Sequence, residues 1–588
     1  MTDHGIATQE TPRQDPDDRY ERLFVYGVFA MMSAGLFYYV WKYGRNVPFW
    51  DDWEMVSGLT GHDRTDWSWF FYQHSEHRYP VTRLVVLAAW RATGDLRVVM
   101  TMTVVLFSAL TGWMIVVARR LRGRTAYTDA VFPLALLHWG HYENVIWTIQ
   151  LFFVASAALP VGVTLMAIQN RWQGNLRALI AIALLLVLLP LHGAMGVVLT
   201  LPTALWCAYA GVTRWRAGDA SGRRDAAVLI GASATALAFA GVYFVGFRPV
   251  PGHPPSPGIA AAAHTTLEVL ALAFGPQGRT AGTAAGAAVL ALCVGCLALL
   301  AVVFVARPAE RTRAFALICC VGALTGVACA IGWGRSGMGA GSGYAIHYAI
   351  LVAPILCVAY LAFVLYGPGN VGRLLSVVLF AALCGVVQAA YYEGRAYGIE
   401  RAANADAMRL DAERGMPPGL IAKRSGGKIF PDTTLLALRL TMLRAEGASV
   451  FAGVDSEDAH PCARDEVVAT GPVATNDVDL RGARAVATGE DPFLVYELPG
   501  ARFVCTIDVT FVLAKPNVVP ATLETFWMRS GVNEFAPGRR NEALDVVTSP
   551  DEQVLTIWVN DTIDRFRLDP DAAPATFEVR RIVLHERE

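Results

Sequence analysis

Two adjacent carboxylates, Asp51 and Asp52, are the residues of this chain whose types and spacing best suit chemistry. They lie in Trp50-Asp51-Asp52-Trp53, shortly after the first long apolar segment, residues 23–41. Adjacent acids near a membrane repel each other and gain nothing there unless they bind or transfer something. A carboxylate in such a loop can remove a proton from an attacking hydroxyl. The pair therefore predicts a catalytic loop at a bilayer surface.

The tryptophans on either side of the pair, Trp50 and Trp53, allow two interpretations. Aromatic rings stack on the apolar faces of sugar rings, which predicts that both tryptophans bind substrate. Tryptophans also form belts at membrane interfaces without any ligand. The belt explains a single tryptophan well, but it explains the two acids poorly.

Two arginines are candidates for binding a phosphate. Arg78 ends the run Glu76-His77-Arg78, and we predict that it clamps a phosphate while Glu76 and His77 orient it or a sugar hydroxyl. A helix cap with a surface ion pair is the alternative. Arg335 stands among glycines with no acid near it in the sequence, which predicts a ligand anion or a lipid headgroup as its partner. His74, Glu76 and His77 lack the spacing of the helical zinc motif, so no metal site is predicted there.

The composition places these residues in a membrane protein. Of 588 residues, 54% are hydrophobic and 17% are charged, and the mean hydropathy is +0.39; such values are typical of a chain that lies mostly in lipid. A net charge of -1 offers no basic field for nucleic acid. The polar residues 1–20 lack the short apolar core and cleavage site of a signal peptide, so the first apolar segment is predicted to be a retained anchor.

Crossing the hydrocarbon of a bilayer takes roughly 20 apolar residues, and on this measure we expect about eleven spans. Their limits are 23–41, 97–118, 126–140, 145–168, 177–190, 194–212, 226–247, 283–306, 314–333, 346–366 and 371–391. The short apolar segment 81–92 carries Arg83 and Arg91, and we expect that it does not cross. Four loops rich in arginine then share one side, which must be the cytoplasm. These loops are residues 119–124, 171–177, 214–224 and 307–313.

This topology divides the chain into four parts. Residues 1–22 form a cytoplasmic tail, and residues 23–391 form a membrane domain whose acidic first loop, 42–96, faces outwards. A connecting segment, 392–433, leads to a β-rich domain, 434–588, which also lies outside. The prediction is a polytopic α-helical membrane protein with a C-terminal extracytoplasmic domain.

The fold of the last part follows from a period of two in its apolar residues. Three alternating runs, Phe503–Phe511, Val554–Val559 and Thr576–Leu584, are separated by turn residues and predict strands of a β-sandwich or jelly roll. Cys462 and Cys505 lie in this region. An exported domain with two cysteines can form one disulfide, and two buried free thiols are the alternative.

The first 400 residues resemble the GT-C superfamily of membrane glycosyltransferases, which use sugars linked to a polyprenyl phosphate. The resemblance lies in the outer acidic pair, the amphipathic segment after it, the odd number of spans and the outer C-terminal domain. Bacterial members of this multispan type share three elements, here Trp50-Asp51-Asp52-Trp53, Glu76-His77-Arg78 and Glu143-Asn144-Val145-Ile146-Trp147-Thr148-Ile149-Gln150. Where such proteins carry Ser-Arg-Tyr, this chain has Ile346-His347-Tyr348, so a phosphate contact is not assigned there.

The resemblance implies an inverting transfer of a sugar from a polyprenyl-phosphate donor to a glycan, lipid or protein acceptor outside a bacterial inner membrane. Asp51 or Asp52 would be the base, and Arg78 and Arg335 would stabilise the departing phosphate. No cofactor is implied, although some members hold a divalent metal with the acidic loop. The remaining residues assigned to substrate binding are Trp50, Trp53, Glu76, His77, Glu143, Asn144, Gln150, His347 and Tyr348.

Two other classes of function remain open at this stage. One is a multispan transporter or flippase of a lipid-linked glycan, with a β domain that binds a ligand. Such a protein would carry ionisable groups at the bilayer midplane or broken helices in repeated halves. The sequence has no obvious repeat. The other class is an acyltransferase or polysaccharide ligase, for which His77 or His141 would be the catalytic histidine.

Overall fold

The chain folds into two compact units, Met1–Ala402 and Ala403–Glu588, and each is described by itself. The computed structural model describes residues 16–454, 462, 464–468, 471–482, 484–514, 520–529, 531–532, 534–535, 540–570 and 575–586. Most of the predicted cytoplasmic tail, residues 1–15, lies outside this described part.

Helices make up nearly all of the first unit. In chain order they are α1 Pro16–Tyr43, α2 Val56–Leu59, α3 Trp67–Phe70, α4 Pro80–Thr93, α5 Arg97–Arg122, α6 Val131–Leu136, α7 Tyr142–Ile146, α8 Leu151–Gln169, α9 Leu176–Leu188, α10 Gly193–Arg216, α11 Ala220–Tyr243, α12 Ile259–Ala271, α13 Gln277–Ala306, α14 Arg311–Arg335, α15 Ala349–Tyr366 and α16 Gly369–Glu413. Helix α1 begins before the predicted first span, and α16 continues well beyond the predicted last one.

Within the described residues, nine helices are long and apolar enough to cross a membrane: α1, α5, α8, α10, α11, α13, α14, α15 and α16. These lengths and compositions are those of a multi-pass membrane protein. The number is lower than the eleven that the sequence predicts. The two predicted spans that are missing from the nine are 126–140 and 177–190.

The predicted span 126–140 is broken into short pieces. It consists of a 3₁₀ turn, Tyr127–Ala130, then α6, then a second turn, Trp139–His141. The His138 ring accepts a hydrogen bond from the amide of Gly140 at 3.0 Å, which replaces a helical bond at this point. Apolar composition alone does not show such a break.

The broken segment nevertheless runs along the length of α1. At its start, the Tyr127 ring contacts the Phe24 ring with centroids 5.5 Å apart. At its end, the Trp139 ring contacts Tyr39 and Tyr43 near the other end of α1. The predicted span 177–190 is present as α9, which is short because a 3₁₀ turn containing Pro190 follows it.

The four arginine-rich loops meet at one end of the first unit, which we call the arginine-rich end. Arg120 bonds Gln169 at 2.9 Å, the amide of Gly174 bonds Asp225 at 2.8 Å, and the Trp206 indole donates to the carbonyl of Thr312 at 2.9 Å. These contacts connect the loops after α5, α8, α10 and α13.

The opposite end holds residues 42–96, and we call it the acidic-loop end. Helix α4, which covers the predicted non-crossing segment, begins and ends there. Before it, His77 accepts a bond from the amide of Ala194, and after it the carbonyl of Gly94 accepts a bond from Asn46 at 2.8 Å. Its buried Arg83 is surrounded by the rings of Trp69, Tyr72 and Tyr79. The aromatic cage explains how a short apolar helix accommodates this charge.

The second unit holds the end of α16, the helices α17 Pro418–Ser425 and α18 Thr433–Ala445, and an antiparallel sheet. The strands are β1 Arg464–Val468, β2 Ala474–Asn476, β3 Val478–Arg481, β4 Arg484–Ala487, β5 Phe493–Ala514, β6 Pro520–Arg529, β7 Arg540–Val547, β8 Ser549–Asp569 and β9 Thr576–Glu586. The three predicted strand runs are confirmed, in β5, β8 and β9. The connecting segment 392–433 is mostly helical and divides between the two units.

The strands join in the order β3-β4-β9-β5-β8-β6-β7, with β1 on β9 and β2 on β5. Among the described strands, hydrogen bonds therefore connect one sheet, where the sequence predicts the two sheets of a sandwich. The long strands β5 and β8 pass through several register shifts, which bend a strand and change the face that its side chains occupy. A disulfide joins Cys462 to Cys505, whose Cα atoms lie 6.3 Å apart.

Candidate functional site

Asp52 is a buried anchor for the acidic loop. Its carboxylate accepts hydrogen bonds from the amides of Ile149 at 2.8 Å and of Thr148 and Phe49 at 3.3 Å. Only 1% of Asp52 is exposed. Burial raises the pKa of this carboxyl from 3.8 to about 7, although the three amides and Arg401 oppose the rise. The pKa suits a general base, but the side chain is closed off from any acceptor hydroxyl.

Arg401, near the end of the first unit, contacts the residues that precede Asp51 and Asp52 in the same loop. It is 5% exposed, its guanidinium lies 4.0 Å from the centre of the Phe49 ring, and it donates to the carbonyl of Val47 at 3.2 Å. Two of its nitrogens have no hydrogen-bond partner among the described residues. Arg401 cannot be recognised from the sequence, because it follows the last predicted span and has no motif around it.

Asp51 is the accessible member of the acidic pair. Its side chain is 40% exposed, and one carboxylate oxygen lies 3.3 Å from Nε2 of His74. Burial alone would lower the pKa of His74, but the hydrogen bond and the charge of Asp51 outweigh it and raise the pKa. Asp52 therefore holds the loop in place, whereas Asp51 is exposed beside the imidazole of His74.

His74 is placed by a tight turn. The backbones of His74 and His77 bond each other in both directions, at 2.9 and 2.8 Å, and Ser75 between them has a φ of 49°. A serine in this left-handed region is uncommon and keeps the two-residue turn closed. The turn directs His74 towards Asp51 and brings Glu76 to Arg335.

Arg335 has a protein carboxylate as its partner, contrary to the expectation from its glycine-rich surroundings. It forms an ion pair with Glu76 and donates to the Tyr348 hydroxyl at 2.9 Å, while the His253 ring lies 3.3 Å away. The sequence could not show this pair because 259 residues separate its members. The side chain of Arg335 remains 18% exposed.

Glu76 is the centre of this charged group. Burial would raise its pKa, but the charges of His77 and Arg335 lower the pKa to about 2. It is therefore ionised throughout the physiological range. The ionic partner of Glu76 is Arg335 and not Arg78, whereas the alternative role, in which Glu76 and His77 orient a sugar hydroxyl, stays a prediction.

His77 connects the two groups of charges. It is buried, and its Nδ1 accepts the amide of Ala194 at 3.3 Å. Burial lowers the pKa of His77 to about 4, and the charges of Glu76, Arg335, His74 and Asp51 all act on it. The backbone bonds between His74 and His77 hold Glu76 in the same turn, so the pairs Asp51–His74 and Glu76–Arg335 are neighbours. The imidazole of His77 is neutral at pH 7.

Arg78 lies at the edge of the site. It donates to the carbonyl of Val245 at 2.8 Å and lies 6.0 Å from the centre of the Tyr243 ring. The Tyr243 hydroxyl in turn donates to the carbonyl of Glu76. Arg78 therefore joins the loop to the end of α11, and its Nε has no hydrogen-bond partner among the described residues.

The third sequence element approaches the site from the start of α8. Glu143 accepts bonds from the backbone amide and from Nδ1 of His347, at 3.1 and 3.0 Å, and both side chains are about one-fifth exposed. Asn144 is buried and donates to Gln150 and to the carbonyl of His347. His347, which stands where an arginine would be expected, is thus held by Glu143.

Several residues predicted to contact substrate are buried in the floor of the site. Trp53 is fully buried, and Asn144, Gln150 and Tyr348 are 5% exposed or less, so their contribution is packing and positioning. Trp50 is 38% exposed and can meet a ligand. A chain of aromatic contacts forms the floor, with rings of Phe49, Trp147, His347, Phe153, Phe152 and His77.

The exposed groups of the site are thus a carboxylate beside an imidazole, Asp51 with His74, and two ion-paired groups, Glu76 with Arg335 and Glu143 with His347. An exposed carboxylate can accept a proton, and a guanidinium can stabilise developing negative charge. His141, the other candidate of the acyltransferase interpretation, is fully buried, and burial lowers its pKa to about 4. In the described part of the chain, no three His, Cys, Asp or Glu side chains are arranged to hold a metal ion.

No family model matches the chain, and none of the curated proteins is similar to it.

Proposed function

We propose that this protein is a membrane glycosyltransferase, which moves a sugar from a polyprenyl-phosphate donor to a hydroxyl of a glycan, lipid or protein acceptor. The observation that carries the proposal is the half-exposed carboxylate of Asp51 beside His74, in a loop that buried Asp52 holds in place. The guanidinium of Arg335 is paired with Glu76, which lies in the same turn as His74. A base and a cation are the two groups that this transfer needs.

In the proposed reaction, Asp51 removes the proton of the acceptor hydroxyl as its oxygen attacks the anomeric carbon. The bond between that carbon and the phosphate oxygen breaks, and the phosphate leaves with the electron pair. Arg335, with Arg78 at the edge of the site, stabilises the negative charge of the leaving phosphate. One displacement of this kind inverts the anomeric centre.

We further propose that the acidic-loop end faces outwards from a bacterial inner membrane. Loops rich in arginine stay in the cytoplasm, and four of them share the opposite end. The disulfide of the second unit supports an oxidising compartment for that unit. The jelly-roll form of the second unit and the resemblance to the GT-C superfamily belong to the same proposal.

The chain in proteoliposomes provides the test. Purified protein is given radiolabelled sugars on polyprenyl phosphate, one sugar at a time, together with an extract of cell-envelope acceptors. Transfer of label into the acceptor fraction, with release of polyprenyl phosphate, is the expected result. Absence of transfer with every donor would contradict the proposal.

A flippase of a lipid-linked glycan is the second candidate, and the broken segment of residues 127–146 favours it. Discontinuous helices in a bundle are a common feature of transporters. The same proteoliposomes distinguish the two functions, because a flippase exposes labelled lipid to an added periodate solution without releasing the sugar from its phosphate. Movement without bond cleavage would favour the flippase.

A further inference from the structure

His253, in the loop between α11 and α12, lies in the site but has no role in the proposed transfer. Nη1 of Arg335 lies 3.3 Å from both ring nitrogens of His253, and Nδ1 of His253 lies 3.8 Å from a carboxylate oxygen of Glu76. The side chains of His253, Glu76 and Arg335 are 28%, 22% and 18% exposed. The three side chains therefore form one closed group that a ligand can reach.

The loop that carries His253 is fixed on two sides. Towards the acidic loop, Gln73 donates to the carbonyl of Arg248 at 2.7 Å and accepts from its amide at 3.0 Å. Towards the end of α14, Ser336 donates to Ser256 at 2.7 Å. These bonds lie on either side of His253 in the sequence, so they hold its backbone in place beside the site.

Glu76 is an obstacle to a phosphate that binds Arg335. The guanidinium of Arg335 is already paired with the Glu76 carboxylate. Burial would raise the pKa of Glu76, but its charged neighbours lower the pKa to about 2, so Glu76 keeps its negative charge. A phosphodiester brings a second negative charge, and the two anions repel each other at short distance. One guanidinium cannot compensate both, so a second cation beside Glu76 is needed.

His253 is the neighbour of Glu76 that can gain a positive charge. Histidine side chains change their charge between about pH 5 and pH 8. The other histidine beside Glu76, His77, is buried, and its Nδ1 accepts the amide of Ala194. Burial lowers the pKa of His77 to about 4, so it stays neutral. The charged and titratable groups around His253 are Glu76, His77 and Arg78 from the acidic loop, Arg335 from the end of α14, Tyr348 before α15 and Arg248 in its own loop.

We propose that His253 is a positioning residue, which replaces Arg335 as the partner of Glu76 when the donor phosphate binds. His253 takes up a proton from solvent, its imidazolium pairs with Glu76, and the guanidinium of Arg335 turns to the phosphate. The inference rests on the proposed transfer, because it assumes that the ligand of Arg335 is the phosphate of a lipid-linked donor. Donor binding should therefore weaken as pH rises, since a neutral imidazole cannot replace Arg335 beside Glu76.

The test is isothermal titration calorimetry of the full chain in lipid nanodiscs. The probe is farnesyl methyl phosphate, a phosphodiester that keeps one negative charge at every pH used and has no sugar to transfer. Titrations at pH 7 in two buffers with different enthalpies of ionisation give the number of protons taken up with each bound probe. Wild type should take up a measurable fraction of a proton, and its Kd for the probe should rise about 10-fold between pH 6 and pH 8.

His253→Gln is the decisive variant, because glutamine can still accept a bond from Arg335 but cannot ionise. At pH 6 it should bind the probe about 10-fold more weakly than wild type and take up fewer protons. Comparison of the two proteins corrects for other groups, such as His74, whose charge can change on binding. His253→Lys places a permanent charge beside Glu76 and should bind tightly even at pH 8, a rescue that a merely structural role does not predict.

His264→Gln is the matched control. His264 lies 3.3 Å from Glu268 within α12, in a histidine–carboxylate pair that does not contact Arg335, and the variant should bind as wild type does. Equal affinity and equal proton uptake in wild type and His253→Gln, or no binding of the probe to wild type, would overturn the inference. Label transfer decides the proposed function separately, so a wild type that transfers sugar but shows neither effect would refute only the role of His253.

Discussion

At the scale of single residues, the two acids of the loop, Asp51 and Asp52, differ in their exposure and in their bonding partners. The carboxylate of Asp52 accepts hydrogen bonds from three backbone amides, whereas the side chain of Asp51 is 40% exposed and faces His74. The sequence predicts that Asp52 or Asp51 is the base and does not decide between them. The difference depends on the amides of Thr148 and Ile149, which bond Asp52 from 96 and 97 residues away in the sequence, so no local pattern contains it.

The raised pKa of Asp52 makes stability depend on pH. Its pKa is about 7 in the fold against 3.8 for an ordinary aspartate, so the folded protein holds a proton that the unfolded chain releases. The stabilisation is complete below about pH 4 and is lost as pH rises through 7, by at most roughly 4 kcal/mol. Relative to Asp52→Asn, the unfolding temperature of wild type should therefore fall between pH 4 and pH 7.

Scanning fluorimetry of both proteins over this pH range provides the measurement. The Asp52→Asn variant cannot ionise at this position, so it corrects for all other groups that titrate. Parallel curves for the two proteins from pH 4 to pH 8 would show that Asp52 does not carry the shifted proton.

Arg335 should contribute to donor affinity and to turnover together. A phosphate contact exists with the bound donor and strengthens as the phosphate leaves. Arg335→Ala should weaken both quantities about 10- to 100-fold, the range of a charged hydrogen bond. Arg335→Lys should restore only part, because one ammonium cannot replace a guanidinium that meets both Glu76 and Tyr348. The measurement is the KM for donor and the kcat of label transfer.

Arg279 offers the matched control for that experiment. It also lies in the first unit and donates to the carbonyl of Tyr344 at 2.9 Å, but it belongs to neither pair of the site. Arg279→Ala should leave KM and kcat close to wild type. Normal kinetics of Arg335→Ala would mean that the Glu76–Arg335 pair is purely structural.

At the scale of elements, the sequence predicts long apolar helices well and interrupted ones poorly. Helices such as α5 and α14 carry uninterrupted apolar runs, and they match the predicted spans closely. Residues 126–140 are also apolar, but α6 ends at Leu136, and the His138 ring then competes for the amide of Gly140 in the turn that follows. Such competition depends on one ring nitrogen and its surroundings, so average hydropathy does not detect it.

The direction of the helices can be measured by labelling single cysteines from one side. Arg120→Cys and Glu310→Cys, at the arginine-rich end, should react with a membrane-impermeant maleimide only after the membrane is opened. His62→Cys and Ala260→Cys should react in intact cells. The eight free cysteines of the native chain lie in apolar helices, and six of them are buried, so the unmodified protein gives the background. Reaction of His62→Cys only in opened membranes would remove the outward-facing site.

At the scale of the whole molecule, alternation within the sequence predicts which strands form, but it does not predict how the strands pair. Alternation predicted the strands β5, β8 and β9, because each buries one face against a common core that includes Ile507, Val559 and Ile582. The order of the strands and the single sheet come from pairings across more than 60 residues, such as Val509 with Ile582. The same holds for the site. Its sequence motifs are local, whereas the pairs Glu76–Arg335 and Glu143–His347 join residues that are far apart in the sequence.

The disulfide should determine the stability of the second unit. It closes a loop of 43 residues, for which the chain-entropy model gives a stabilisation of about 4 kcal/mol. The double variant Cys462→Ser with Cys505→Ser should unfold in this unit at a lower urea concentration than wild type, whereas Cys384→Ser in α16 should not. The measurement is the near-ultraviolet spectrum of the protein in urea. Identical midpoints would show that the bond contributes little.

The central claim is that Asp51 removes the proton of the acceptor while Asp52 only supports the loop. The most direct measurement is the single-turnover rate of sugar–phosphate cleavage in proteoliposomes with donor prebound, for wild type and Asp51→Asn. We expect a rate about 10²- to 10⁴-fold lower in Asp51→Asn, with donor affinity and unfolding temperature unchanged. A wild-type rate in Asp51→Asn would contradict the account.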